Sequence, residues 1–77
     1  MSWNYRVLKE PIDNINTFRI IEVHYDDSGK IEAWNDNTAN ILVWTSLDDL
    51  KGTVEYLSGA FQKPVLIKTN KGELIEE

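Results

Sequence analysis

Residues 46–61 read SLDDLKGTVEYLSGAF, and this stretch decides the fold. Apolar residues recur in it at alternating spacings of three and four, at Leu47, Leu50, Val54, Leu57 and Phe61. This apolar stripe is typical of an amphipathic helix, because residues three or four apart share one helix face. Ser46 is predicted to cap the N-terminus of the helix, and Pro64 is predicted to end it.

Three runs rich in aromatic and β-branched residues precede this helix, and a fourth follows it. They span residues 3–7, 17–25, 31–35 and 65–69. Such runs favour strands. The order predicts an α+β fold: a small antiparallel sheet of three to four strands, in the order β-β-β-α-β, with the helix packed on one face. Residues 1–77 then form one domain, in which residues 70–77 are either a short returning strand or a frayed tail.

Alternation along the strands assigns their side chains to two faces, because neighbouring side chains of a strand point in opposite directions. We expect one face to form the core under the helix, with Trp3, Tyr5, Val7, Ile21, Val23 and Tyr25. One helix covers only one face of a sheet. The opposite face is therefore the candidate interaction surface, with Phe18, Ile20, Trp34 and Leu42.

An exposed patch that contains Trp and Phe is typical of a protein interface. The sequence therefore predicts a small protein–protein interaction domain that binds a protein partner or self-associates as a homodimer. A charged residue in place of Trp34 should then weaken association and leave the monomer folded. The structural alternative is that a strand bend, the tail or residues 37–42 fold over this patch.

Composition narrows the functional classes. No cysteine is present, which excludes disulfide bonds, zinc ribbons, iron–sulfur clusters and thiol nucleophiles. Thirteen carboxylates against eight lysines and arginines give a formal net charge of −5, so we expect no nucleic-acid binding. The longest apolar run, residues 41–44, is far shorter than the roughly 20 residues of a membrane span. We expect a cytoplasmic protein that does not associate with membranes.

Few residues have the chemistry of a catalytic or metal site. His24 is the only histidine, and Glu22 shares its strand face, so the sequence offers at most one carboxylate–imidazole pair. Residues 26–30 are similar to part of a calcium loop, but Asn35 stands where that loop needs a bidentate Glu, and a hairpin turn is predicted instead. We expect no enzymatic activity, no catalytic residue, no cofactor and no metal site.

Four segments carry a family resemblance: W-N-Y-R-V at residues 3–7, Y-D-x-x-G-K at 25–30, S-L-D-D-L at 46–50 and K-P-V-L at 63–66. Together they resemble a family of short uncharacterised bacterial proteins. That family has no established activity, so this resemblance implies membership and no function.

The order of three strands before a helix that begins Ser-Leu-Asp-Asp also resembles, more distantly, the HicB-like antitoxin domain. That resemblance implies a second function, as the antitoxin-like partner of a small basic toxin ribonuclease. The chain departs from that family at residues 40–45, which replace a turn rich in Pro and Gly. No DNA-binding segment is expected after Glu77, so the resemblance implies toxin neutralisation without operator binding.

Overall fold

A computed structural model describes residues 2–36 and 45–77 of the chain. Its strands are β1 (Ser2–Ile12), β2 (Ile15–Tyr25), β3 (Ile31–Asn35), β4 (Leu66–Lys68) and β5 (Leu74–Glu76). Helix α1 (Leu47–Ser58) lies between β3 and β4 in the chain, and a 3-10 helix (Gly59–Gln62) continues directly from it.

The strands form one sheet in the order β3-β2-β1-β4-β5, with β1 in the centre. Strands β1 and β2 are antiparallel, as are β2 and β3 and also β4 and β5, whereas β1 and β4 are parallel. Parallel strands need a long crossover connection between them. Helix α1 and the 3-10 helix belong to the connection that crosses from β3, over β2 and β1, to β4.

The expected sheet of three to four antiparallel strands in the order β-β-β-α-β is therefore wrong. Within the described residues the sheet has five strands, one neighbouring pair is parallel, and the sheet curls into a half-barrel. The additional strand, β5, lies in the segment that the sequence left open as a returning strand or a tail. It forms because Leu74 is buried in the core and pairs with Lys68 of β4.

A tight turn joins β1 to β2, whereas the strands predicted at residues 3–7 and 17–25 left residues 8–16 outside any strand. Asp13 and Asn14 form this turn with φ angles of 52° and 66°. A two-residue hairpin turn of type I′ needs positive φ at both positions, and Asn and Asp tolerate it better than most residues. Both strands consequently run on to the turn, and Ile12 pairs with Ile15.

The register of this hairpin places the odd-numbered residues of β1 and those of β2 on opposite faces of the sheet, although the sequence predicted one shared face for Tyr5 and Ile21. Tyr5 lies opposite Glu22, and Arg6 lies opposite Ile21. Directly opposed residues share a face, so Ile21 lies on the face opposite to Tyr5, and the predicted joint core face is wrong. The period of two was correct within each strand, but a shift of one residue between strands exchanges the faces.

We call the two faces the helix face and the concave face. The helix face carries Tyr5 and Val7, which pack against Ala60 of the 3-10 helix. The concave face carries Leu8, and the sheet curls toward it. Trp34 of β3 shows this curl, because its ring lies 4.8 Å from the Lys68 Nζ of β4 although two strands separate them in the sheet.

The concave face holds the larger of two hydrophobic clusters. Its fully buried side chains are Leu8, Ile21, Val23 and Leu66, with Leu74 nearly as buried. Tyr25, Ile31 and Trp34 pack against these residues at the edges of the cluster. The strands of this curled face thus supply the cluster without a contribution from α1.

Arg6 is the one charged side chain buried within the described residues, with 5% of its surface exposed. Its guanidinium donates hydrogen bonds to the Tyr25 hydroxyl at 2.8 Å, to the Pro64 carbonyl oxygen at 2.9 Å and to Glu76 Oε2 at 2.7 Å. A buried charge is tolerated when it is paired and hydrogen-bonded. Arg6 therefore ties β2, the approach to β4 and the edge strand β5 to the central strand.

The predicted start of the helix is confirmed. Ser46 is the N-cap of α1, and its hydroxyl accepts a hydrogen bond from the Asp49 backbone N–H at 3.4 Å. Asp48 and Asp49 lie in the first turn, where the helix dipole favours negative charge. The α-helix ends at Ser58, earlier than predicted, and the 3-10 turn follows before Pro64.

The apolar stripe, however, does not form the core. No residue of α1 is buried, and Leu47 and Phe61 are 67% and 68% exposed. Of the stripe, Leu57 alone packs against the cluster of Tyr5 and Val7, and Ala60 of the 3-10 helix is buried in that cluster beside it. In a 3-10 helix residues three apart align, so after Leu57 the buried position falls on Ala60 and not on Phe61.

This arrangement predicts unequal effects for two leucines. Leu8→Ala should lower the free energy of unfolding by roughly 2–5 kcal/mol, because it leaves a cavity in the fully buried concave core. Leu47→Ala should change it by less than about 0.5 kcal/mol, because that side chain is exposed. Urea denaturation followed by circular dichroism measures both. Equal losses would show that the stripe packs after all.

Charged residues surround Glu10 on the concave face, close to the hairpin turn. Its two carboxylate oxygens lie 3.0 Å from Arg19 Nη2 and 3.0 Å from Lys68 Nζ. The hydrogen bond from Lys68 is the main cause that lowers the pKa of Glu10, and the charges of Lys68 and Arg19 contribute to the same shift.

A lowered pKa in the folded state has a defined consequence for stability. The ionised Glu10 stabilises the fold above its unfolded pKa of about 4.3, and this contribution is lost as the pH falls through the lower folded value. Glu10→Gln should therefore melt at a lower temperature than the wild type at pH 7, and the difference should shrink below about pH 4. Melting curves across this range test it, with Glu32→Gln on the exposed part of β3 as control. A difference that stays constant with pH would contradict the assignment.

Candidate interaction surface

The predicted interface residues do not form one surface. Phe18 and Ile20 lie on the helix face of β2, opposite Lys9 and Val7. Trp34 pairs with Val23 and packs against the concave core, so a charge at Trp34 should destabilise the monomer. Leu42 lies outside the described residues.

Phe18 belongs instead to a row of side chains that crosses the helix face. The register aligns Phe18 with Lys9, Lys9 with Ile67, and Ile67 with Ile75. Because directly opposed residues share a face, these side chains follow one line across β2, β1, β4 and β5. We call Phe18, Ile67 and Ile75 the apolar row.

The apolar row lies beside the part of the helix face that Ala60 covers. The preceding cross-strand pair, Val7 and Ile20, packs in the cluster around Ala60. The next pair of this face toward the hairpin turn is Lys9 and Phe18, which lies in the apolar row. In that row Phe18 is 62% exposed and Ile75 is 45% exposed, while Ile67 is partly buried. The helices therefore protect one part of this face and leave the next part open to solvent.

Lys9 stands between Phe18 and Ile67 in this line, and its charge is neutralised locally. Its Nζ donates a hydrogen bond to Glu77 Oε2 at 2.7 Å. The aliphatic part of a lysine covers apolar surface while its amine reaches a polar partner. A cleft of about 420 Å³ adjoins the row, with Lys9, Ile67 and Glu77 in its wall. The surface thus combines apolar side chains with one neutralised ion pair.

Ile67 and Ile75 were not predicted as surface residues. Each lies next to a buried leucine, Leu66 or Leu74. Alternation therefore predicts that the two isoleucines point away from the face on which these leucines are buried. Which face that is, however, depends on the pairing of β4 with β1. The neighbouring residues contain no signal for this pairing.

The other end of the helix face carries a cluster of aromatic rings. The Trp3 ring lies 5.4 Å from Tyr5 and 5.2 Å from Tyr56, and Tyr5 lies 5.3 Å from Tyr56, centroid to centroid. Burial raises the pKa of Tyr5, and the charges of Glu22 and Tyr56 raise it further. Tyr5 is therefore a neutral phenol at physiological pH.

His24 and Glu22 form the carboxylate–imidazole pair that the sequence offered. His24 Nε2 lies 2.9 Å from Glu22 Oε2, and the imidazole stacks on the Trp3 ring at 6.4 Å with 30° between the planes. Both side chains are partly exposed. In the described parts of the chain, no three metal-ligating side chains come together around this pair or elsewhere.

The predicted turn at residues 26–30 is confirmed. One oxygen of Asp26 accepts hydrogen bonds from the backbone N–H groups of Ser28 and Lys30 and from the Ser28 hydroxyl. Gly29 has a φ of 86°, which favours glycine. The Ser28 hydroxyl is the first cause that lowers the pKa of Asp26. This carboxylate closes the hairpin between β2 and β3.

Within residues 2–36 and 45–77, no helix has the length and apolarity needed to span a membrane. Comparisons with protein-family models, curated proteins and solved structures gave no match to this chain. The two ends of the helix face are the candidate binding surfaces of the described residues.

Proposed function

We propose that the protein is a small protein-binding domain and that the apolar row is its binding surface. The observation that carries the proposal is the exposure of Phe18 and Ile75 in one cross-strand line of the hydrogen-bonded sheet. Large apolar side chains that are aligned on a surface are typical of interfaces. Burial of each such side chain by a partner contributes about 1.5–3 kcal/mol.

A second copy of the chain suits this surface. In a two-fold symmetric dimer the same patch meets itself, so the patch must be self-complementary. The apolar row meets this condition, because it combines exposed apolar side chains with Lys9 and Glu77, which have opposite charges and neutralise each other.

The net charge of −5 opposes self-association, since two like-charged copies repel each other. Added salt screens this repulsion. A dimer held by the apolar row should therefore become tighter as the ionic strength rises. This dependence distinguishes it from a complex held by attraction between opposite charges.

Phe18→Asp should weaken self-association at least about tenfold, because each copy loses an apolar contact worth more than 1.4 kcal/mol. Ile15→Asp is the matched control: Ile15 is 67% exposed on the same strand but points to the concave face. Sedimentation equilibrium over a concentration series measures the dissociation constants, and circular dichroism verifies the fold of both variants.

Two results would count against this proposal. The first is a wild-type protein that stays monomeric at all concentrations and ionic strengths. The second is a Phe18→Asp variant that associates as well as the Ile15→Asp control.

The second candidate function is an antitoxin-like partner of a small basic toxin ribonuclease. The observation that favours it is the acidic net charge, because opposite charges steer association and favour a basic partner. A short reading frame for a basic protein beside the gene would support it. The complex of the two purified proteins should weaken steeply as salt rises, the reverse of the dependence expected for the dimer.

A further inference from the structure

A second surface, independent of the apolar row, lies at the other end of the helix face. Helix α1 contacts the sheet through Tyr56 and Leu57 near its end, while its first turns stand off from the start of β1. A cleft of about 400 Å³ lies between them, with Trp3 on one side and Gly52 on the other. We call it the aromatic cleft.

Three rings line this cleft: Trp3, Tyr5 and Tyr56. Tyr5 is buried and stands nearly perpendicular to both other rings, at 88° to Trp3 and 83° to Tyr56. Trp3 and Tyr56 are each about half exposed. The cleft therefore offers aromatic surface that is held in place by ring-to-ring packing and is still reachable by a ligand.

The charged groups of the cleft all have the same sign. Asp48 and Asp49 lie in its wall, and none of its described lining residues is a lysine or an arginine. Glu22, opposite Tyr5 on the same face, adds a further carboxylate nearby. The N-terminus of a helix by itself attracts anions, but the two aspartates in the first turn oppose an anion at this place.

Gly52 leaves the middle of the cleft open. A Cβ atom at this position would meet no atom within 4 Å, so the space beside the glycine is free. The volume of about 400 Å³ lies within the range of small-molecule sites. A ligand of this size can contact the rings and the two aspartates together.

We propose that the aromatic cleft binds an organic cation of the quaternary ammonium class. A cation that carries methyl groups is attracted to the faces of aromatic rings and loses little hydration when it is enclosed by them. The two aspartates supply the opposite charge at the same place. An anion would be repelled by these carboxylates, and a neutral ligand would gain no attraction from them.

Choline is the probe for this proposal, and 3,3-dimethylbutan-1-ol is its control, because this alcohol has the same shape without the charge. Nuclear magnetic resonance follows the indole N–H of Trp3 and the backbone N–H of Gly52 and Thr53 during titration. Choline should shift these signals and saturate in the millimolar range, and the alcohol should bind at least about tenfold more weakly, which corresponds to 1.4 kcal/mol.

Variants of the cleft separate charge from packing. Asp49→Asn and Tyr56→Leu should each weaken choline binding several-fold, whereas Tyr56→Phe, which keeps the ring, should bind choline as the wild type does. Asp27→Asn in the exposed hairpin turn is the control for net charge. Circular dichroism verifies that each variant is folded.

Two further titrations complete the test. A short peptide that contains trimethyllysine carries the same trimethylammonium group as choline. If the peptide binds more tightly, the natural ligand is a modified protein; if choline binds more tightly, the natural ligand is a small molecule. Phe18→Asp should bind choline as the wild type does, so the aromatic cleft and the apolar row can fail separately. Equal binding of choline and the neutral alcohol, or the absence of a saturable shift with choline, would overturn the proposal.

Discussion

The burial of β1 on both faces is the constraint on which the rest of the structure depends. Its residues 5–8 are all buried, although neighbouring side chains of a strand point in opposite directions. Leu8 needs the concave cluster, while Tyr5 and Val7 need the cover of the 3-10 helix. Strand β1 meets both needs only as the central strand, with β2 on one side and β4 on the other.

Arg6 connects this constraint to the apolar row. Its burial in the centre of the sheet requires partners, and one of them is Glu76 of β5. The backbone N–H of Glu77 bonds to the Val65 carbonyl oxygen at 2.8 Å, and Lys9 holds the Glu77 side chain. These contacts hold a strand of only three residues at the edge of the sheet, and that strand places Ile75 in the apolar row.

The two faces of the sheet have different roles. The concave face holds the larger hydrophobic cluster and the ionic contacts of Glu10, which contribute to stability. Among the residues that the structure describes, the helix face is covered only in its middle, because α1 meets the sheet near its C-terminal end. Its two uncovered ends are chemically distinct, since the apolar row offers hydrophobic area and the aromatic cleft offers rings with carboxylates. Both arrangements suit binding.

The sequence by itself determined the local elements: the helix with its Ser46 cap, the strand character of β2 and β3, and the turn closed by Asp26. Each of these depends on residues a few positions apart, so spacing and turn chemistry suffice to predict them. Phe18 was predicted as a surface residue, but its neighbours in the apolar row were not. Only the tertiary structure decided the hairpin register, the parallel pairing of β1 with β4, and the separation of Phe18 from Trp34. The physical reason is that alternation shows which residues of one strand share a face, whereas the pairing between distant strands decides which faces join, and one residue of shift reverses the result.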